Sequence, residues 1–186
     1  FCKLNNMVPR FKNWYEETVF FSLVKSSGYK NPHEVPKVVK IQINQALGLN
    51  AQNSQLLKKS IDDFRLISGQ QPVVTKSRKA IAGFKIRKDL PLGLTVTLRG
   101  ERMYEFLARL IHLVFPRIRD FQGLDPKGMD NNGNYNFGLL DQLIFPEIDY
   151  DKVKQIFGFN VAIVTTANNR DEGLVLLKQM GVPFQR

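Results

Sequence analysis

Between Lys76 and Lys88 the chain reads KSRKAIAGFKIRK, with six cationic side chains (Lys76, Arg78, Lys79, Lys85, Arg87, Lys88) and no acidic one. Like charges held this close repel one another, and a polyanion relieves the repulsion. The chemistry that suits such spacing is neutralisation of the phosphates of a nucleic acid. A solvated basic loop without a partner is the alternative the residues alone leave open. Gly83 breaks the segment for a helix, and its charge keeps it out of a core. The whole chain leans the same way: 27 Lys and Arg stand against 17 Asp and Glu over 186 residues, a formal charge of +10.

Other chemistries fit less well. Asp130, Asn132 and Asn134 imitate the first, third and fifth positions of a calcium loop, but Tyr135 stands where that loop needs glycine and Asp141 where it needs glutamate. They read as turn formers. His33 and His112 have no metal-ligand or triad spacing around them, and His112 reads as structural. Glu147, Asp149 and Asp151 form an acidic cluster better suited to the surface or to a helix start than to acid–base work. No P-loop or GxGxxG motif is present, so the sequence predicts neither an enzyme nor a cofactor. One cysteine, Cys2, excludes an internal disulfide framework. No apolar run reaches the ~18 residues of a membrane helix, and 43% hydrophobic residues are too many for a disordered basic tail.

These groups must be positioned by regular elements. Asn13–Lys25 is expected as a helix with Trp14, Thr18, Phe21 and Val24 inward, stopped by Gly28. Val38–Leu47 alternates as a strand, with Val39, Ile41 and Ile43 on one face. Asn53 is placed to cap a helix running to Ser68, with Leu57, Ile61 and Phe64 inward and Gly69 at its end. Pro72–Thr75 forms a short strand entering the basic segment, and Gly93–Arg99 a strand with Leu94, Val96 and Leu98 on one face. Glu101–Phe115 has strong helical spacing in Met103, Phe106, Leu107, Leu110, Ile111 and Val114, closed by Pro116. Arg117–Glu147 is long for a connector, with a short strand at Tyr135 and Phe137. A weak helix over Asp151–Phe157, a strand over Phe159–Thr166 and a helix over Asp171–Met180, with Leu174, Leu177 and Val175 inward, complete the chain. This order predicts an α+β fold: two layers, a mostly antiparallel sheet with helices packed on one face, and a long basic loop. The open face would carry Gln42, Asn44, Thr95, Thr97 and Arg99, a polar platform for RNA or an ordinary solvated face. The expected organisation is a flexible arm over 1–11, or the tail of a transit peptide, followed by one domain over 12–186.

Several runs go beyond general patterns. ISGQQPVVTKSRKAIAGFKIRKDLPLGLTVTLRGERMYEFL (Ile67–Leu107) closely resembles the bacterial-type large-subunit ribosomal protein five family. So do EVPKVVKIQIN (Glu34–Asn44), PRIRDFQGL (Pro116–Leu124), GNYNFG (Gly133–Gly138), FPEIDYDKV (Phe145–Val153) and MGVPF (Met180–Phe184). The resemblance runs in order from about Lys12 to the end. It implies a protein that binds 5S rRNA in the central protuberance beside large-subunit rRNA and neighbouring large-subunit proteins, with no membrane partner. It implies 5S rRNA contacts from Asn44, Gln70, Thr97 and Arg99. Their chemistry suits such contacts, because amides donate and accept, a hydroxyl does both, and Arg forks onto phosphate, as reading an RNA minor groove requires. A helix-end hydrogen bond is the structural alternative for Gln70. The resemblance further implies that a loop of Lys76, Ser77, Arg78, Lys79, Gly83, Lys85 and Arg87 reaches P-site tRNA. It also implies that a bridge region with Arg117, Arg119, Asp120, Asn134 and Tyr135 faces small-subunit ribosomal protein thirteen.

The chain departs from the family's pattern at MDNNGNY (Met129–Tyr135), at LLDQ (Leu139–Gln142), where an arginine is lost, and at GFN (Gly158–Asn160). The first two departures lie in the bridge region. With the unusual N-terminal residues, they point to the ribosome of an organelle, plastid or mitochondrion, with the bacterial cytoplasm as the alternative. The rival functions are a free regulatory RNA-binding module and a nucleic-acid enzyme holding metal on its acidic cluster. Six cations in so short a run, with only Ile81, Phe84 and Ile86 to pack, predict that Ser77–Asp89 is mobile in the free protein and ordered beside RNA.

Overall fold

The first helical stretch buries Phe11, Tyr15, Val19 and Leu23, a strict four-residue repeat. Four residues overshoot one α-helical turn by about 40°, so this stripe would wind around a regular helix. The chain absorbs the drift in a π-helical turn, Tyr15–Val19, between α1 (Val8–Trp14) and α2 (Phe20–Ser27). The expected stripe of Trp14, Thr18, Phe21 and Val24 therefore misses the buried one: Phe21 is 58% exposed and Thr18 lies in solvent, while Trp14 and Val24 are half-buried. Gly28 ends the helix in the left-handed region, φ 66°, its N–H bonded to the Val24 carbonyl at 3.1 Å. The computed structural model describes residues 8–29, 31–150, 153 and 155–185. Most of the expected N-terminal arm, with Cys2, lies outside the described residues.

The remaining elements are β1 (Val38–Ala46), α3 (Ser54–Ser68), β2 (Val73–Lys76), β3 (Pro91–Leu98), α4 (Glu101–Arg109), β4 (Tyr135–Leu139), β5 (Phe159–Thr165) and α5 (Arg170–Gln179). The fold is α+β, with one five-stranded antiparallel sheet in the order β2–β3–β1–β5–β4. β2 pairs β3 from Val73 opposite Thr95 to Lys76 opposite Pro91, and the register slips between Thr75 and Lys76, where the basic segment begins. On β3 the alternation is clean: Leu94, Val96 and Leu98 are buried, Thr95 and Thr97 half-buried. β1 alternates from Ile41 onward, but Val38 is buried and Val39 is 36% exposed. The start of that strand is thus covered on its even face, which one-sided alternation did not anticipate.

α3 follows its local signals. Asn53 Oδ1 accepts the Gln55 N–H at 3.1 Å, and Gly69 closes the helix at φ 67°. Its buried face is Ser60, Phe64, Ile67 and Ser68, with Leu57 and Ile61 half-buried beside it. Phe64 meets Phe159 of β5 at 5.5 Å between ring centroids. α4 runs on through a second π-helical turn, Leu110–Val114, to a short 3₁₀ turn holding Pro116. α1 packs against α4, with Tyr15 and Tyr104 rings 6.0 Å apart and the exposed His112 edge-on to Phe11. On α5 the inward residues are Gly173, Leu176 and Leu177, while Leu174 is half-buried and Val175 is 36% exposed. Gly173 occupies that position because an added Cβ would lie 2.7 Å from the Gly133 carbonyl oxygen.

The helix expected over Asp151–Phe157 falls partly outside the described residues. Residues 153 and 155–157 are irregular, as suits a segment of about two turns with too little apolar surface to hold it. The backbone divides into two compact units: Phe1–Ile41 with Arg99–Phe137 and Ala162–Arg186, and Gln42–Leu98 with Gly138–Val161.

Candidate nucleic-acid interface

The open face of β1 and β3 is made of small polar groups. Asn44, Thr95 and Thr97 are half-buried and Gln42 is exposed, the parity the sequence predicts. Thr95 Oγ1 donates to the Ile43 carbonyl at 3.3 Å and so ties the two strands together; its hydroxyl can still accept a hydrogen bond. Gln70 stands just past the end of α3. Its N–H bonds to Ser68 Oγ at 3.3 Å, and its Nε2 donates to the Thr97 carbonyl at 3.5 Å. Gln70 is thus a helix-end residue and also the neighbour of Thr97, and its amide keeps the oxygen and a second N–H hydrogen for another partner. The structure brings Gln70 and Thr97 together and sets Asn44 on the adjacent strand. Arg99 follows β3 and is exposed. Of the neighbouring positions, Val73 of β2 is 65% exposed, on the same face as Thr95.

The basic segment between β2 and β3 has its own architecture. At its neck Ser77 is buried, 8% exposed. Its hydroxyl donates to the Arg87 carbonyl and accepts the Leu90 N–H at 3.1 Å. The Ser77 N–H reaches the Leu90 carbonyl at 2.9 Å, and the Asp89 N–H reaches the Ser77 carbonyl at 3.1 Å. Farther out, Ile81 and Ile86 exchange both backbone bonds at 2.9 and 3.1 Å, closing a tight 3₁₀ turn at Ala82–Phe84. Lys76, Arg78, Lys79, Lys85, Arg87 and Lys88 are all exposed, and Gly83 has open space where a side chain would stand. Ser77, expected among the contact residues, uses its side chain inside the loop. The sequence gives no sign of this, since its hydroxyl could equally have faced solvent.

In the segment after α4, Arg117, Arg119 and Asp120 are exposed, and Asp120 takes the left-handed conformation at φ 52°. Phe121 stacks on Phe115 at 5.2 Å, and Leu124 forms a parallel bridge with Phe184. Asn134 and Tyr135 serve the fold. Asn134 Oδ1 accepts the Thr165 N–H at 3.2 Å. Tyr135 is 1% exposed, and its hydroxyl donates to the Asp125 carbonyl at 2.9 Å. Burial, helped by the Asp125 carboxylate, pushes the Tyr135 phenol up to about 12. Of the five residues expected to face a bridge partner, the structure therefore exposes three.

Residues 31–87 match the family described as Ribosomal protein L5, and residues 91–184 match the C-terminal part of the same ribosomal family. Among similar proteins, the large ribosomal subunit protein uL5 of Rippkaea orientalis is 54% identical over 179 residues, which is 96% of this chain and 99% of that protein. The large ribosomal subunit protein uL5c of Tetradesmus obliquus has the same identity and coverage. The uL5 protein of Synechocystis sp. is 52% identical over 179 residues, again 96% of this chain and 99% of its own length. With both parts matched in order and near-complete coverage, the chain belongs to the ribosomal protein L5 family.

Proposed function

We propose that the chain binds 5S rRNA in the large ribosomal subunit through the open face around Asn44, Gln70, Thr97 and Arg99. Membership of the family makes it a structural, non-enzymatic part of the large subunit, in a ribosome of organellar or bacterial type. The observation that carries the finer reading is the pairing of two kinds of surface. One is a platform of amides and hydroxyls on β1 and β3, with the exposed Val73 beside it on the edge strand β2, suited to 2′-hydroxyls and phosphates across a wide minor groove. The other is a loop of exposed cations, suited to a phosphate backbone. The loop is the natural contact for P-site tRNA, which holds it further in place. The exposed Arg117, Arg119 and Asp120 are the groups able to meet small-subunit ribosomal protein thirteen, and large-subunit rRNA and neighbouring proteins complete the surroundings.

The two surfaces can be separated by mutation. Replacing Asn44, Thr97 and Arg99 together weakens binding to 5S rRNA by about 1–3 kcal/mol per group lost. Replacing Arg78, Lys79 and Lys85 leaves 5S affinity nearly intact and lowers affinity for tRNA. Filter binding over a range of salt concentrations measures both. Equal loss of 5S affinity in the two triple variants would refute the assignment, as would binding of any duplex RNA as tightly as 5S rRNA.

A further inference from the structure

The tip of the basic loop holds an aromatic ring that no core takes up: Phe84 is 69% exposed. A single exposed apolar side chain is ordinary by itself, but the backbone that presents this one is specifically built. The two-bond ladder between Ile81 and Ile86 fixes the base of the turn, and the Lys85 N–H closes it on the Ala82 carbonyl at 3.0 Å. Lys85 is held in the left-handed region at φ 55°, and Asp89, at the neck, at φ 64°. Residues with side chains persist in that region where surrounding bonds over-determine them. Phe84 therefore stands on a closed turn, with Lys85 next to it and Lys79 and Arg87 flanking the ladder.

This combination has a specific chemical complement. An unpaired base in a folded RNA offers a free π face, and the phosphates on either side of it offer negative charge. Aromatic stacking with cationic flanks recognises that pair of features and tolerates any base. A continuous duplex hides its base faces, so it could use the cations alone. An apolar protein partner would have to bring its own acidic groups to lie against this charge.

We propose that Phe84 is a base-stacking platform, taking the open face of an unpaired nucleobase in a folded RNA while Lys79, Lys85 and Arg87 hold the adjoining phosphates. The proposal rests on the loop being an RNA contact and adds the residue and the structural class of RNA that it selects.

The test uses the full chain with its sheet face saturated by 5S rRNA. Two probes of equal phosphate number are compared: a hairpin with an unpaired 2-aminopurine exposed in its loop, and a blunt duplex. The wild type prefers the hairpin. Phe84→Ala lowers hairpin affinity about tenfold and leaves duplex affinity, the salt slope and 5S binding unchanged; Phe84→Trp keeps the preference and perturbs the 2-aminopurine emission. A hairpin affinity unchanged in Phe84→Ala, or no hairpin preference in the wild type, overturns the proposal while 5S binding leaves the broader reading standing. Phe84-dependent binding of an acidic, apolar peptide in place of the hairpin overturns it in favour of a protein partner. Failure of the wild type to bind 5S rRNA overturns the broader reading, and the hairpin comparison, run then without 5S rRNA, still decides the Phe84 platform.

Discussion

Replacing Ser77 by alanine removes one oxygen that makes two hydrogen bonds at the neck of the basic loop. The Arg87 carbonyl loses its donor and the Leu90 N–H its acceptor. Each neutral bond contributes about 1 kcal/mol net, so opening of the neck becomes easier by about 2 kcal/mol. At 1.4 kcal/mol per factor of ten, that is about a 30-fold rise in the open population. The two backbone bonds between Ser77 and residues 89–90 remain, and they are the reporters. In native-state hydrogen exchange, the amides of Ser77 and Asp89 should exchange about 30-fold faster in Ser77→Ala. Those of Ile81 and Ile86 should change little, because their ladder is closed by bonds of its own. Ser77→Thr, which keeps the hydroxyl, should restore most of the protection. Ser77 and Asp89 amides that speed up by less than about threefold would show that the hydroxyl does not clamp the loop and would refute the reasoning.

Gly173→Ala places a methyl 2.7 Å from the Gly133 carbonyl oxygen and 2.9 Å from its Cα; it should cost about 1–3 kcal/mol, seen as a fall of several degrees in a circular-dichroism melt, and an unchanged melt would remove the close contact. Alkaline pH should unfold the protein earlier than exposed tyrosines would allow. Burial raises the phenols of Tyr15, Tyr104 and Tyr135, the last to about 12 from an ordinary 10.0. A folded-state value above the unfolded one gives stability that is full below pH ~10 and is lost as pH rises toward 12. Denaturant midpoints at about pH 9 and 11.5 check this, and identical midpoints would contradict it.

What could be read from the sequence divides along physical lines. α3 was legible at both ends because its signals are local: an Asx cap at Asn53 and a left-handed glycine at Gly69. Asn44 and Thr97 were placed on the open face because a strand has a fixed period of two. The first helix was harder. Apolar residues occupy two adjacent stripes, and a π-helical turn decided which one faces inward. On α5 the small Gly173 faces inward, and counting large apolar residues passes over it. In the site, the exposed cations and amides were legible from their type. The buried duties of Ser77, Asn134 and Tyr135 were not, because a polar group turned inward is identified only by the backbone atom it meets. The ladder between Ile81 and Ile86 was equally hidden, since main-chain bonds leave no mark on apolar content.

The two compact units differ in how the chain supplies them. The first is assembled from three separated stretches, the last being Ala162–Arg186, and its closing pieces include the bond from the Gln185 N–H to the Leu124 carbonyl. The second needs nothing beyond Val161. Synthesis runs from the N-terminus, and non-local contacts wait for their latest partner. The second unit therefore has all its residues while the first still lacks its final helix. Arrested nascent chains displaying residues 1–161 should protect Gln42–Leu98 from protease, and uniform digestion of that stretch would contradict the order. Asn44, Gln70 and Thr97 belong to the early unit and Arg99 to the other, so three of the four groups proposed to meet RNA are in place before the translating ribosome has finished the protein that carries them.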